Sequence, residues 1–346
     1  MSYIKEQYTD QISQQMTLDQ VGGMNRSGFV PLPDRSPTPF DDDAIPDELA
    51  IDDWFTPQAV QESLDNRIIG QGAAKKAASM IIYSLYEFEN TSTSLFIGET
   101  GCGKTEIWRI LSQEWRGMIQ IADASQITAE GWKGGVKMTN LLMSFQEDKA
   151  WKKHILVLDE FDKIWDERNS DVNYFDLIQD QMLKIFDHDS SIMPGIDPSD
   201  ISIVCLGAFS PIFEKKRSKK APIGFGCTQR EAPSNIVTSE DLIEFGMKPE
   251  LVSRFSRVIQ MDPPSLATYR QLADMELQKL EEKLRKHIEI DPEQLDMLSS
   301  EALDAGLGGR YIKNRLFVMA EDFIYENPFA KVIDLSEGSV MPSMMA

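Results

Sequence analysis

The chain has 346 residues, enough for two domains at about 150 residues each. Apolar residues make up 42% and charged ones 26%, as in a soluble globular protein, yet 35 Lys+Arg against 56 Asp+Glu leave a formal charge of −21. A body this acidic repels phosphate backbones and anionic lipid, which argues against nucleic acid or a membrane as the bulk partner. Three cysteines, Cys102, Cys205 and Cys227, stand far apart with no Cys-x-x-Cys pair. That excludes a disulfide scaffold or a zinc ribbon and fits a reducing compartment. The N-terminus MSYIKEQYTD has no apolar stretch of the signal-peptide kind, and no run approaches a membrane span. A cytoplasmic location is expected.

Residues 1–54 differ from the rest. Pro31, Pro33, Pro37, Pro39 and Pro46 fall among Asp41, Asp42, Asp43, Asp47, Glu48, Asp52 and Asp53. Few apolar side chains offset the entropy of ordering, so a flexible acidic arm is expected. Across 55–259 short apolar runs, SLFIG at 94–98, HILVLD at 154–159 and ISIVCLG at 201–207, alternate with segments of helical spacing. Strands spaced by helices predict an α/β domain with a parallel sheet covered on both faces. After Asp262-Pro263-Pro264 the period changes: Leu266, Tyr269, Leu272, Leu277, Leu280 and Leu284 recur at helical intervals, with Glu281–Arg285 and Glu282–Lys286 as i,i+4 pairs. A second helical segment begins near Arg310 and runs through Leu316, Met319 and Phe323. A small, mostly helical domain is expected over 260–335, followed by a frayed tail at 336–346.

Gly98-Glu-Thr-Gly-Cys-Gly-Lys104-Thr105 fits the phosphate-binding loop G-x-x-x-x-G-K-[ST] in full, with an apolar strand before it and the helical segment EIWRILSQEW after it. Glycines Gly98, Gly101 and Gly103 let successive amides, with those of Thr100, Cys102 and Glu106, turn toward phosphate oxygens. Lys104 would reach the β- and γ-phosphates and Thr105 would offer a hydroxyl to Mg²⁺. Farther on, Ile155-Leu-Val-Leu-Asp159-Glu160 delivers two carboxylates at the end of an apolar strand. Asp159 would face the metal and Glu160 would polarise an attacking water, a base that a small-molecule kinase does not need. ATP hydrolysis is the expected reaction, with ATP and Mg²⁺ as its cofactors.

From about Phe55 to Glu326 these residues resemble the AAA+ ATPases, and within them the ClpX-type protein unfoldases. Arg67-Ile-Ile-Gly-Gln71 looks like the segment that packs on adenine, which assigns Ile68 and Ile69 to the base. DEFDKI at 159–164 matches the extended second motif. GMKPELVSRF at 246–255 looks like the arginine-finger box and GLGGRYIKNRL at 306–316 like the sensor-2 helix. The resemblance implies that Arg254 reaches a neighbouring subunit's nucleotide and Arg310 its own. It implies a homo-oligomer, a hexameric ring. ADASQITAEGWKGG at 122–135 resembles the pore-loop segment, with Gly131-Trp132-Lys133-Gly134 where the family has Gly-Tyr-Val-Gly. A flat ring flanked by glycines can grip any polypeptide, and Lys133 would favour acidic substrates. Ile223-Gly224-Phe225 resembles the tripeptide that docks on a ClpP-type peptidase. The pattern has departures. The acidic arm matches no part of the family's N-terminal zinc-binding module, so zinc is not expected. Gly207 and Ala208 stand where a sensor-1 polar residue is sought, and RNSDVNYFD at 168–176 lacks the family's second pore-loop arginine.

The resemblance thus implies an ATP-driven unfoldase that threads protein substrates through a pore to a peptidase. A remodelling ATPase without a peptidase remains open, as does, more distantly, a nucleic-acid-linked loader, which would want a basic face. An HslU-type unfoldase needs a large insertion after Glu160, and the stretch up to Gly207 is too short for one. A scaffold that binds nucleotide without turnover sits badly with an intact Lys104, Asp159, Glu160 and Arg254.

Overall fold

Apolar runs at 93–97, 154–159 and 201–207 become the three central strands of a five-stranded sheet, buried along almost their whole length. The computed structural model describes residues 56–128, 136–143, 145, 153–165, 172–189, 197–218, 236–306 and 308–336. The strands are β1 (Thr93–Ile97), β2 (Ile119–Asp123), β3 (His154–Asp159), β4 (Ile201–Gly207) and β5 (Arg257–Gln260), in the spatial order β2-β3-β4-β1-β5. Every pairing is parallel, so all five C-terminal ends emerge at one edge, where open α/β sheets bind their ligands. The α/β expectation holds. Within this sheet, sequence reading missed the two edge strands, whose mixed or exposed burial hides them from an apolar-run search.

Helices cover both faces, as a parallel sheet requires. On one side α1 (Pro57–Asp65), α2 (Gly72–Glu87) and α3 (Lys104–Glu114) bury Leu64, Ile82, Leu85 and Trp108 against Phe96, Val157 and Leu206. On the other, α4 (Met138–Met143), α5 (Val172–Phe186), α6 (Ser210–Ser218), α7 (Ser239–Phe245) and α8 (Pro249–Arg254) pack Ile178, Met182, Leu242 and Leu251 on Leu95, Leu156 and Ile203. Several helix starts are written locally. Thr56 accepts from Ala59 N at 3.1 Å ahead of Pro57, and Thr238 with Asp241 forms a capping box.

Beyond β5 the chain forms α9 (Leu266–Leu284), β6 (His287–Glu289), α10 (Pro292–Ala305), α11 (Gly308–Glu326) and β7 (Val332–Asp334). Tyr269, Ala273, Leu298, Ala302, Ile312 and Leu316 bury a separate apolar core. The helix α10 and the parallel pair β6–β7 went unnoticed in the sequence; α9 and α11 did not. Among the described residues no helix is long and apolar enough to cross a membrane. The N-terminal arm, the pore-loop segment Gly131–Gly134 and the tripeptide Ile223–Phe225 lie outside the described residues.

Candidate nucleotide site

The loop after β1 is shaped by its glycines. Gly103 precedes α3 with φ +98°, a conformation that a side chain resists, and no side chain caps the helix start. The first amides of α3 therefore stand open at the positive end of an 11-residue helix, an arrangement suited to phosphate. Gly98 N donates to Gly207 O at 3.2 Å, tying the loop to the end of β4, and Cys102 N donates to Glu99 O at 3.3 Å. Lys104 is buried and folds back on its own loop, donating to the carbonyls of Gly98 and Glu99, with Cys102 Sγ 3.7 Å away. Burial pushes the Cys102 thiol above its usual range, against the opposing charge of Lys104. Cys102 is thus a packing group here, buried in the apolar cluster on this side of the sheet.

Beside this loop lies an open cleft of about 290 Å³ lined by Thr105, Arg109, Ile121, Asp123, Asp159 and Glu160. The parallel register explains the meeting. Asp123 and Asp159 are partners at the ends of β2 and β3, and Thr105 opens the helix that follows β1. Glu160 is exposed with φ +54°, rare for a residue with a side chain, and its amide donates to Asp159 Oδ1 at 2.9 Å. Glu106 and Arg109 form an ion pair one helical turn along α3, and Thr100 is exposed on the loop. These donors suit a metal-bound triphosphate: open amides and an ammonium for phosphate, a hydroxyl and carboxylates for a hard cation.

Two contributors escaped the sequence reading. Asp162, buried two residues beyond Glu160, accepts from Ala208 N and Phe209 N, each at 3.1 Å, and so pins the β4–α6 connection to the end of β3. Asp123, whose carboxylate also accepts from Ser125 N at 2.8 Å, adds a third acid to the cleft. Both lie inside segments that the sequence singles out, DEFDKI at 159–164 and ADASQITAEGWKGG at 122–135, but neither pattern assigns them a role. What makes them visible is strand register, which links residues far apart in sequence.

The two arginines sit differently. Arg254 ends α8 and pairs in two-pronged fashion with Asp187, just past α5, its Nη2 3.1 Å from Asp187 Oδ2. Hydrogen bonding from Arg254 holds the Asp187 carboxyl below its usual range, and the same contact raises the arginine. Both side chains are more than two-fifths exposed, at 44% and 43%. Arg310 is exposed in the first turn of α11. The start of that helix touches the phosphate loop: a Cβ built on Gly308 would fall 2.5 Å from Gly101 Cα. Tyr269, 2% exposed, brings a hydroxyl to the same seam, and burial raises its phenol. Ile68 is buried and Ile69 half-buried, and the Ile68 carbonyl accepts from Lys75 Nζ at 3.1 Å.

The family model for the ATPase family associated with various cellular activities (AAA) matches residues 94–215, from β1 through most of α6. Over a longer span the chain is similar to three ATP-dependent Clp protease ATP-binding subunits. It is 26% identical to ClpX of Treponema denticola, with 80% of this chain and 78% of the relative covered. It is 27% identical to ClpX 2 of Wolinella succinogenes (79% and 78%) and 27% identical to ClpX of Borrelia duttonii (80% and 76%). A loop of the phosphate-binding pattern at the end of β1, paired acids at the end of β3, a helical part after β5 and these likenesses agree: the chain is an ATPase with an AAA domain, similar over most of its length to the ClpX-type subunits.

Proposed function

We propose that the chain is a protein unfoldase and translocase that works as a ring, hydrolyses Mg²⁺-ATP at the cleft beside Lys104, and passes substrates to a ClpP-type peptidase in the cytoplasm. The observation that carries the hydrolytic half is the convergence of Thr105, Asp159 and Glu160 on one cleft at the uncapped start of α3. The relatives' description as ATP-binding subunits of an ATP-dependent protease supports the other half. In this reading 55–259 is the ATPase domain and 260–335 a lid.

The open amides of α3 and Lys104 hold the phosphates, and Ile68 and Ile69 border the base. Magnesium, held through Thr105 and Asp159, supplies positive charge against the phosphate oxygens when bound. Glu160 accepts a proton from water as the water oxygen bonds to the γ-phosphorus. The bond to the β–γ bridging oxygen breaks, leaving ADP and phosphate. Arg310 adds positive charge from its own chain and Arg254 from a neighbour. For that, Arg254 must leave Asp187, and an exposed pair that solvent screens well can be exchanged. Trp132 grips the substrate, and Ile223 and Phe225 enter apolar clefts on the peptidase, where several weak contacts around a ring add by avidity.

A folded fluorescent reporter bearing an unstructured tag tests this reading. With ATP, its fluorescence should fall only when a ClpP-type peptidase or a trap prevents refolding, and Trp132→Ala should abolish the loss while leaving ATPase activity within about twofold. Fluorescence loss that survives Trp132→Ala would remove the gripping role. Loss with a trap but never with the peptidase would leave a remodelling ATPase without a protease.

A further inference from the structure

Gln71, a residue only 7% exposed, stands where the Arg67–Gly70 segment ends and α2 begins, with φ +56°. Its amide reaches across the fold. Nε2 donates to the Asp262 carbonyl at 2.8 Å, and the Asp262 amide donates to Oε1 at 2.9 Å. One side chain thus satisfies both backbone groups of one residue, as a paired strand would.

Asp262 is where the chain leaves the sheet. Met261, just before it, donates its amide to Ile97 O at 2.7 Å and packs its side chain on Gly98. Pro263 and Pro264 follow and offer no amide hydrogens, and Ser265 then caps α9. The point of departure for the helical part is therefore held by the phosphate loop on one side and by Gln71 on the other. Beyond it lie Gly308, in contact with Gly101, and Arg310.

We propose that Gln71 is a positioning residue of the nucleotide site: its amide locks the crossing at Asp262 to the adenine-side segment and so sets where Gly308 and Arg310 stand over the phosphate loop. The proposal rests on the reading of 98–105 as the ATP site.

The chemistry of the pair supplies its own test. In Gln71→Glu a carboxylate still accepts from Asp262 N but turns an unprotonated oxygen on Asp262 O. Once protonated, the carboxyl again donates and accepts as the amide does. Burial and the facing carbonyl favour that protonated form. The charged groups nearby are the exposed Asp262 carboxylate, which acts in the same direction, and Lys75, already engaged by Ile68 O and Asp65.

Steady-state ATPase kinetics and thermal melting should be measured for wild type, Gln71→Glu and Gln71→Ala between about pH 8 and pH 6, each variant as a ratio to wild type at the same pH. Both variants should lose roughly tenfold in kcat/KM at pH 8. Gln71→Glu should recover to within about threefold at pH 6, and Gln71→Ala should not recover. Wild-type kcat and KM in both variants at every pH would overturn the proposal. So would an equal, pH-independent loss that merely follows a lowered melting temperature. A wild-type chain without ATPase activity would instead sink the site reading on which the proposal stands.

Discussion

Gly308→Ala is a sharp probe of how α11 meets the phosphate loop. Gly308 has φ +68°, and its added Cβ would meet Gly101 Cα at 2.5 Å, Gly101 O at 3.1 Å and Gly101 C at 3.2 Å. All three atoms are backbone, so no side chain can rotate away. The left-handed conformation alone costs an alanine about 1–2 kcal/mol. The clash adds roughly 1–3 kcal/mol, the usual range for overpacking a fitted contact. Gly306→Ala separates the two costs, because Gly306 has φ +63° and nothing within 4 Å of where its methyl group would stand. Both variants should melt at lower temperature by the shared backbone cost. Only Gly308→Ala should lift α11 from the loop, lowering kcat/KM for ATP by about 5- to 150-fold relative to Gly306→Ala, at about 1.4 kcal/mol per factor of ten. Equal kcat/KM in the two variants would refute a working contact between Gly308 and the phosphate loop.

Three further outcomes follow from the same geometry. Asp162→Ala leaves the amides of Ala208 and Phe209 without their buried acceptor, at roughly 1–3 kcal/mol each, so the melting temperature should drop while Asp162→Asn, which keeps one acceptor oxygen, drops less. Mixing Arg254→Ala with Glu160→Gln subunits should restore part of the ATPase activity if each supplies the other's missing half; assembled mixtures without rescue would exclude a shared site. Asp187 is depressed on folding, so its pairing with Arg254 is complete above the ordinary carboxylate pKa and is lost only as the pH falls below that value. Between about pH 6 and 8 the Asp187→Asn variant should therefore show the same pH profile as wild type, and a divergence there would mean that the pair titrates near neutrality.

Fully buried strands and local motifs were legible in the sequence because they carry their signal in consecutive residues. The runs at β1, β3 and β4 are apolar on both faces, and the phosphate loop is eight residues with a helix behind it. By contrast, β2 and β5 are edge strands with half-buried or exposed positions, and they read as ordinary connecting chain. The supporting residues were hidden for a different reason. Asp162 acts on amides 46 and 47 positions away and Gln71 on a backbone 191 positions away. Such partners are chosen by sheet order and helix placement, which periodicity does not encode. Arg254 is singled out only by the resemblance of GMKPELVSRF to a family box, and its hold on Asp187 depends on how α5 and α8 pack.

The most direct measurement of the central claim is single-turnover ATP hydrolysis by Glu160→Gln with Mg²⁺, alongside its nucleotide affinity. Glu160 lies exposed at the cleft with Thr105 and Asp159, outside the loop 98–105 that is proposed to hold the phosphates. The amide cannot take the proton of the attacking water, so hydrolysis should fall at least about a hundredfold with ATP affinity within a few-fold of wild type. Turnover close to wild type in that variant would contradict the assignment of Glu160 and of the cleft as the hydrolytic site.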